Sequence, residues 1–382
     1  MRLAILGSRG YPSTYGGYET LVRFLAPYLR DRDHDVTVYC RFSSRQDGSR
    51  RWVEDGITCI STRGIDTTSA STLSFGLTSS LDATWRRFDA VLVLNIANGF
   101  WLPLLRATSV PTAVNTDGIE WERGKWGPVA RRAFRGGAQL TARYANALIC
   151  DSEAIGAVWR ERFGRDSTFI PYGAPVVPEG DASKLQEVGL GDRPYVLIVA
   201  RLVPENNVEL ALDALDLLAA DAPIGVVVGS ATPDSPIGSR LDDLQARGRI
   251  VWLGHVHDQE LLTQLWRNSR AYVHGHSVGG TNPALLQALG AGAPTLALDT
   301  PFNREVLPVD DQLFGSDPVQ LAAKLRAVLS SELLRREMAD RGREIVCASY
   351  SWADVCARYA SVLEELGSSG SRRRRGSDLG RG

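Results

Sequence analysis

A glycine-rich stretch from His274 to Thr295 carries the residues best suited to chemistry. The pattern predicts a buried strand that ends near Val273, then a polar loop, then a helix that begins at Pro283 with Asn282 as its N-cap. Gly279–Gly280 allows backbone to approach a ligand closely, and the free amides and dipole of a helix start favour an anion. A connection that uses glycine only for its geometry is the alternative.

Two further groups follow predicted strands in this half of the chain. Arg201 ends one strand, and its fork of donors suits a phosphate, although an ion pair with Glu205 is the alternative. His274 and His276 have a spacing that could ligate a metal, but no third ligand cluster accompanies them. Hydrogen bonding in the core or the loop is therefore the favoured interpretation of the two histidines.

The first half of the chain contains three candidate segments. Asn115–Gly127 combines charge with Trp121 and Trp126, whose faces suit sugar rings, with packing in the core as the alternative. Gly7–Glu19 is rich in glycine but lacks the spacing of a dinucleotide fingerprint, which favours a structural turn. The acidic run Asp31–Asp35 lies on the amino side of the predicted sheet and is typical of a solvated turn.

Composition limits the class of protein. A chain of 382 residues is expected to form two domains of ~150–180 residues, and a net charge of −1 gives no field that would attract nucleic acid. Five scattered cysteines without CxxC spacing favour reduced thiols in the cytoplasm. The N-terminal sequence is not typical of a signal peptide, and the most apolar window, Ala90–Leu105, is too interrupted to span a bilayer. We therefore expect a soluble or peripheral protein.

Alternating strands and helices predict an α/β fold with parallel sheets. In the first half, the predicted strands are Leu3–Leu6, Val36–Cys40, Ile57–Ser61, Ala90–Leu94, Thr112–Asn115, Ala147–Cys150 and Thr168–Ile170, and the predicted helices are Tyr18–Arg30, Leu81–Arg86 and Val129–Ala145. After a hinge-like segment at Pro175–Asp192, strands recur at Tyr195–Ala200, Ile224–Gly229, Ile250–Leu253, Ala271–Val273 and Thr295–Leu298. Two such sets predict two doubly wound, Rossmann-like domains that face each other across a cleft.

The order of several motifs resembles the bacterial family-four glycosyltransferases, and more narrowly the rhamnosyltransferase-like subgroup of cell-surface polysaccharide synthesis. The motifs are GSRGYPSTYGGYE, DGIEWERGKWG, DSEAI, IPYGAP, ARLVPENN, VHGHSVGGTNPALLQALGAG and PFNREV, within residues 1–366. The resemblance implies a GT-B fold, with the acceptor in domain 1–175 and the nucleotide-sugar in domain 190–345. It also implies that a C-terminal helix, 346–366, crosses back to the first domain. The Gly/Ser/Arg-rich tail 367–382 is predicted to be disordered.

The resemblance also implies a metal-independent, anomer-retaining transfer with no cofactor besides the substrate. The predicted catalytic residues are Arg201, which would hold the donor diphosphate, His276 beside the sugar or phosphate, and Asp117. The predicted donor-binding residues are Gly279, Gly280, Thr281, Asn282, Pro283, Gln287 and Asn206. On the acceptor or diphosphate side the predicted residues are Gly16, Gly17, Glu19 and Glu120.

Two departures from the broader family bear on the mechanism. Its Glu-x7-Glu pair is represented by Gly279 and Gln287, and its lysine five residues after the arginine is Asn206. Gln287 can still accept a hydrogen bond from ribose, but without charge assistance. Arg201 is left as the main cation on a departing diphosphate, whose phosphate would itself take the acceptor proton.

The substrates and partners are predicted less specifically. Subgroup likeness suggests a dTDP-rhamnose donor and a saccharide or lipid-linked acceptor at the inner face of the membrane. The basic stretch Arg123–Arg143, with Trp126 and Phe134, would suit anionic headgroups, and Arg372–Arg375 could add attraction. A solvated helix face is the alternative. A non-hydrolysing sugar-nucleotide epimerase, or an impaired homologue that binds a sugar-nucleotide, remain alternative functions.

Overall fold

The computed structural model divides the chain into two compact units. It describes residues 1–12, 16–41, 48–65, 71–116, 118–119, 121, 127–178, 180, 182–231 and 235–378, with side chains as far as residue 369. Unit 1 contains Met1–Tyr172 together with Trp352–Gly382, and unit 2 contains Gly173–Ser351. The division follows Tyr172, just before the hinge-like segment that composition predicts.

Unit 1 contains an eight-stranded sheet in the order β3-β4-β2-β1-β5-β6-β7-β8. Its strands are β1 (Arg2–Leu6), β2 (Asp35–Cys40), β3 (Arg51–Glu54), β4 (Ile57–Ser61), β5 (Ala90–Leu94), β6 (Thr112–Asn115), β7 (Ala147–Cys150) and β8 (Thr168–Phe169). All neighbours are parallel except the edge pair β3 and β4. Every residue of β5 is buried, as expected for a central parallel strand covered on both faces.

Five helices and a 3-10 turn connect these strands. They are α1 (Gly17–Arg30), α2 (Ser71–Arg86), the 3-10 turn Ile96–Trp101, α3 (Leu102–Ala107), α4 (Pro128–Tyr144) and α5 (Glu153–Phe163). The 3-10 turn contacts α2, α3 and α4, and α3 also contacts α2 and α4. Right-handed crossovers with this strand order place α2, α3 and α4 in one layer, on the face opposite α1.

Unit 2 contains a six-stranded parallel sheet in the order β11-β10-β9-β12-β13-β14. The strands are β9 (Tyr195–Val199), β10 (Ile224–Val228), β11 (Ile250–Gly254), β12 (Ala271–His274), β13 (Thr295–Leu298) and β14 (Leu313–Phe314). The helices are α6 (Ser183–Glu187), α7 (Val208–Asp216), α8 (Pro236–Ala246), α9 (Gln259–Asn268), α10 (Pro283–Gly290), α11 (Pro301–Val306), α12 (Pro318–Ser330) and α13 (Glu332–Ser349), with 3-10 turns at Pro204–Asn206 and Asp310–Gln312. Alternate residues of β9 enter two different cores: Val196 and Ile198 on one face, Tyr195 and Leu197 on the other.

The last helix, α14 (Trp352–Asp378), belongs to unit 1. Trp352 stacks on Phe24 of α1, with ring centroids 4.4 Å apart, and the Asn115 side-chain amide donates a hydrogen bond to the Tyr359 hydroxyl. The C-terminal segment therefore completes the core of the first unit.

The C-terminal region differs in its bounds from the prediction. The crossing helix begins at Trp352, because residues 346–349 are the end of α13 in unit 2. The backbone is drawn as helical to Asp378, the disorder of the tail from residue 367 stays a prediction, and residues 379–382 lie outside the described residues. Throughout the described chain, no helix combines the length and apolar character needed to cross a bilayer.

Candidate functional site

Two polar segments of unit 2 meet because their strands are neighbours. β9 and β12 pair in parallel, with Val273 opposite Ile198, so their carboxyl ends reach the same edge of the sheet. Arg201 follows β9, and the glycine-rich segment that leads into α10 follows β12. This is the edge at which open α/β sheets bind ligands.

Direct hydrogen bonds join these two loops. The Ser277 backbone N–H and hydroxyl both donate to the Glu205 carbonyl, at 2.9 and 2.8 Å. The Asn207 side-chain amide donates to the Gly275 carbonyl at 2.8 Å. A Cβ on Gly275 would lie 2.5 Å from the Asn206 carbonyl oxygen, so only glycine allows this approach. The polar groups of both loops are therefore held in one arrangement.

Asn206 helps to build this arrangement. It is 3% exposed, and its side-chain amide donates to the Arg201 carbonyl at 2.7 Å. This hydrogen bond fixes the backbone at Arg201, and the predicted donor-binding role of Asn206 stays a prediction.

The start of α10 has the predicted geometry. The Asn282 side chain accepts a hydrogen bond from the Ala284 N–H at 2.9 Å, and Pro283 is the first helical residue, which confirms the predicted cap. Gly279 has a φ of 139°, a conformation that L side chains rarely adopt. Thr281 is 4% exposed, and Gly280 is partly exposed. The loop thus presents backbone and a helix start at the edge of the sheet.

Arg201 is exposed, and its guanidinium forms neither a hydrogen bond nor an ion pair with any described residue. The alternative ion pair with Glu205 is not formed. Instead, Glu205 Oε1 is buried without a hydrogen-bond partner in the described part of the chain. The cation is thus available to a ligand beside the α10 loop.

The two histidines form a stacked pair. His274 is fully buried, with Nδ1 3.0 Å from the Tyr272 hydroxyl, and its ring lies 4.3 Å from that of His276 at an interplanar angle of 11°. Burial, with a smaller contribution from His276, lowers the pKa of His274 well below its ordinary value, so the ring is neutral. Within the described residues, no group of three or more His, Cys, Asp or Glu side chains could hold a metal ion.

Asn303 is a positioning residue that the sequence interpretation did not assign, although it lies in the motif PFNREV. Its side-chain amide donates to the carbonyls of His276 and Leu298, at 2.8 and 2.9 Å, and the residue is 3% exposed. The backbone under His276 is therefore anchored to the end of β13. The available signal was an asparagine in the first turn of the helix that follows β13.

Gln287 lies in the second turn of α10 and is partly exposed. Its side-chain amide makes no hydrogen bond to a described residue. Among the described residues this amide has no partner, and the predicted ribose contact stays a prediction.

The corresponding loop of unit 1 is held differently. α1 begins at Gly17, and its N-cap, Gly16, has a φ of 115° and no side chain to cap the helix. Glu19 is 7% exposed, and its Oε1 accepts the Arg9 backbone N–H at 2.9 Å. A Cβ on Gly17 would lie 3.1 Å from the Tyr172 ring. Glu19 therefore closes the loop onto its own helix, and the N-cap Gly16 supplies no side chain to the first amides of α1.

Two family models match successive parts of this chain. The model "Glycosyl transferase 4-like domain" matches residues 16–173, and "Glycosyl transferases group 1" matches residues 182–345. The chain is therefore a glycosyltransferase whose second half matches the group 1 domain. The two matched ranges correspond to the two units, so the family assignment covers both sheets.

Solved glycosyltransferase structures share the fold over nearly the whole chain. A sucrose-phosphate synthase from Thermosynechococcus elongatus has a TM-score of 0.79 at 16% identity, covering 96% of this chain and 99% of its own. HepE of Anabaena, in complex with UDP, has a TM-score of 0.75 at 17% identity, covering 96% and 100%. The structure is thus an α/β GT-B fold with two parallel-sheet domains, as predicted.

The curated relatives have higher sequence identity than these structures, but each match covers only part of both chains. The GtfA subunit of a UDP-N-acetylglucosamine–peptide N-acetylglucosaminyltransferase from Streptococcus pneumoniae is 24% identical over 57% of this chain and 45% of its own. A phosphatidyl-myo-inositol mannosyltransferase from Propionibacterium freudenreichii is 29% identical over 46% and 45%. The chain spans about half the length of the curated relatives it matches. Their names concern N-acetylglucosamine and mannose, so they give no support to the rhamnosyltransferase subgroup.

The aromatic segment of this glycosyltransferase is only partly described. Asp117, Glu120 and Trp126 lie outside the described residues, so their predicted roles stay predictions. Trp121 is 2% exposed and packs edge-to-face against Trp159, with ring centroids 6.4 Å apart. For Trp121 the alternative of core packing is therefore the one observed.

Proposed function

We propose that this protein transfers a sugar, with retention of anomeric configuration, from a nucleoside-diphosphate donor to a saccharide or lipid-linked saccharide. The observation that carries the proposal is Arg201: an exposed cation, unpaired among the described residues, beside the loop that opens α10. A guanidinium fork and a helix N-terminus together match a diphosphate. The complexes of HepE with UDP and UDP-glucose support this class of donor.

The chemistry follows from charge that develops on the leaving group. The bond from the anomeric carbon to the diphosphate oxygen breaks, and the acceptor oxygen bonds to the same face of the sugar. The departing phosphate takes the acceptor proton. Arg201 would contribute ~1.5–3 kcal/mol as a charged hydrogen bond, and the α10 start ~0.3–2 kcal/mol. Because both groups are fixed before reaction, they stabilise the developing charge without reorganisation, and no metal is required.

The donor-binding residues divide into two roles. Gly279–Pro283 would line the diphosphate, and Gln287 would accept from ribose hydroxyls. His276 would lie beside the sugar or phosphate, over the neutral ring of His274. Asn206 acts indirectly, because its amide is already bonded to the Arg201 carbonyl.

The acceptor and the donor sugar are the least constrained parts. Two curated relatives are named as mannosyltransferases of phosphatidylinositol lipids, which supports a lipid-linked acceptor. Peripheral contact through the basic residues of α4 remains a prediction: Arg132, Arg135 and Arg143 are exposed, whereas Arg123, Lys125 and Trp126 lie outside the described residues. A rhamnosyl donor also remains a prediction, to be tested directly.

The test is to incubate the purified chain with dTDP-rhamnose, GDP-mannose, UDP-glucose and UDP-N-acetylglucosamine, each with and without a lipid-linked acceptor. The proposal expects a glycosylated product only when acceptor is present, unchanged by EDTA, with the donor's anomeric configuration. Conversion of the nucleotide-sugar without acceptor would instead identify an epimerase. Binding without turnover of any donor would identify an impaired homologue and would implicate Gln287.

A further inference from the structure

The sheet of unit 1 reverses its strand order between β1 and β5. From β1 the chain proceeds to β2 on one side of the sheet, and it later returns to β5 on the other side. β1 and β5 are parallel, with Leu6 opposite Val93, so the segments that follow them leave the sheet together at its carboxyl edge. Open α/β sheets bind ligands at such a reversal point. Residues 7–8 and 95–98, which follow these two strands, are therefore candidates for a binding site.

A small cavity of about 10 Å³ lies at this reversal point, and it is partly open to solvent. Its size is about that of one water molecule or one hydroxyl group, which is too small for a phosphate or for a sugar ring. The oxygen- or nitrogen-bearing side chains that line it are those of Ser8, Tyr39, Arg41, Thr72 and Ser79. The Arg41 guanidinium donates to the Thr72 hydroxyl and also to that of Ser71, so the charged group of the lining is engaged with its neighbours.

Ser8 differs from the other polar side chains of this lining. It is 4% exposed, and its Oγ is buried without a hydrogen-bond partner among the described residues. By contrast, the Tyr39 hydroxyl donates to Asp82 at 2.8 Å, and the hydroxyls of Ser79 and Thr62 share a hydrogen bond of 3.0 Å. A buried hydroxyl without a partner destabilises the folded chain, so it calls for a bound group that completes it.

A second unpaired oxygen borders the same cavity. Asn98 is 1% exposed, and its side-chain amide donates to the Leu94 carbonyl at 2.7 Å. Its Oδ1 is buried without a hydrogen-bond partner in the described part of the chain. This side chain lies against two glycines of the cavity lining, since a Cβ on Gly76 would overlap Asn98 Oδ1 and a Cβ on Gly7 would overlap Asn98 Nδ2.

The two unpaired oxygens define the chemistry of a matching ligand. Asn98 Oδ1 can only accept a hydrogen bond, whereas the Ser8 hydroxyl can donate or accept. A hydroxyl group satisfies both, because it donates to one oxygen while it accepts from the other, and a phosphate has no proton to donate to the amide oxygen. We propose that Ser8 and Asn98 form a subsite that binds one hydroxyl of the saccharide acceptor. This inference rests on the proposed function, which makes a saccharide the second substrate, and it names the residues of unit 1 that select it.

The test measures saccharide binding in the absence of donor, by NMR titration of the full chain and of Ser8→Ala. The probes are the methyl glycosides of glucose, galactose, mannose and rhamnose, together with their monodeoxy analogues. Ser8→Ala should weaken the best-bound glycoside by about fivefold, the loss that corresponds to one neutral hydrogen bond. Removal of one particular hydroxyl from that glycoside should weaken its binding to the unchanged chain by a similar factor, and it should have no further effect in Ser8→Ala.

The unfolding temperature separates this role from a structural one. Ser8→Ala should not lower it, because the change removes a buried group that has no partner. Ser79→Ala is the matched control: its hydroxyl lines the same cavity but is bonded to Thr62, so this variant should lose stability and keep its affinity for the glycoside.

Each contrary result overturns the proposal. It is wrong if no glycoside binds, or if Ser8→Ala binds the best glycoside as tightly as the unchanged chain does. It is also wrong if Ser8→Ala weakens the binding of UDP instead, because the subsite would then belong to the donor. Since binding is measured without donor, a failure to transfer sugar from any nucleotide-sugar would contradict the proposed function and would leave this measurement unaffected.

Discussion

The two units contain the same local design, a strand followed by a glycine-rich loop and a helix, and they use it differently. In unit 2 the loop before α10 is held by its neighbours: Ser277 and Asn207 provide the ties, and Asn282 caps the helix. In unit 1 the described part of the loop before α1 is tied to its own helix by Glu19, which accepts the Arg9 N–H, and to the neighbouring strands by the Arg9 carbonyl and the Tyr11 hydroxyl. Glu19 therefore stabilises the backbone of the first loop, whereas the Arg201 guanidinium beside the second loop forms no hydrogen bond or ion pair with a described residue.

The comparison distinguishes two kinds of residue: those whose side chains hold a loop in its conformation, and those whose side chains are exposed and can contact a ligand. A buried side chain already bonded to backbone changes stability when it is removed, while an exposed and unpaired charge changes the affinity or rate for a ligand. Substitutions at equivalent places in the two units should therefore give different kinds of effect. The following experiments test that expectation in order of decreasing size.

The largest effect is expected at Arg201. Arg201→Ala should lower turnover by ~10²–10³, the loss typical of removing one preorganised stabiliser of developing charge. Arg201→Lys should recover part of the rate, because an ammonium lacks the two-pronged geometry. The unfolding temperature should not change, since the side chain is exposed and unpaired among the described residues. Arg193→Ala, an exposed arginine before the other end of β9, should keep full activity, and near-normal turnover of Arg201→Ala would remove the residue from the mechanism.

Glu19 should show the opposite behaviour. Glu19→Ala leaves the Arg9 N–H without its carboxylate, which should lower the free energy of unfolding by ~1.5–3 kcal/mol. Calorimetric binding of a nucleoside diphosphate should be retained at temperatures where the variant is folded. Glu209→Ala is the matched control, since Glu209 also lies in the first turn of a helix but is exposed. An unchanged unfolding temperature in Glu19→Ala would show that this carboxylate does not stabilise its loop.

Gln287 should give a smaller effect, and on binding alone. Gln287→Glu should increase the affinity for a nucleoside diphosphate by about fivefold, because a charged acceptor strengthens hydrogen bonds from ribose by ~1 kcal/mol. Calorimetry measures this directly, with Gln287→Leu expected to weaken the same binding. Equal or weaker affinity of the glutamate variant would mean that the site accommodates ribose without this side chain.

The smallest effect is expected at Glu364, where α14 packs against the rest of unit 1. A hydrogen bond from His34, together with Arg32, holds the pKa of Glu364 below its ordinary value. The pKa of Glu364 is lower in the folded than in the unfolded chain. The stabilisation that its ionised carboxylate provides is therefore fully present at a pH above the unfolded pKa, and it is lost as the pH falls through the folded pKa. Glu364→Gln should therefore cost ~0.5–1 kcal/mol near pH 7 and progressively less in acid. Denaturant unfolding at several pH values tests this, and a cost independent of pH would contradict it.

Most of the scaffold was predictable because buried parallel strands are continuous apolar runs. Ala90–Leu94, Ala147–Cys150 and Thr295–Leu298 have the predicted bounds. The prediction missed the short elements β3, β14, α3, α6 and α11 and also the longer helices α5 and α13. In α13 only four of eighteen residues are buried, so its apolar periodicity is weak.

The site was predictable at the level of segments but not of individual roles. Strand order brings Arg201 and the α10 loop together, and the Asn282–Pro283 pair marks the helix start from sequence alone. Whether an amide faces a ligand or its own backbone depends on tertiary contacts. Asn206 and Glu19, both predicted at ligand sites, each have a side-chain atom bonded to a backbone group, which their sequence positions did not indicate.

The position of α14 determines the order in which the two units can complete their folding during synthesis at the ribosome. Tyr359 and Leu363 are almost fully buried in unit 1, yet they are synthesised after every residue of unit 2. Unit 2 is contiguous and can fold as it emerges, whereas the first sheet must wait for the last helix before its core is closed. A nascent chain released before Trp352 would therefore leave the α14-binding surface of unit 1 uncovered, and that surface is where we expect chaperones to bind during synthesis.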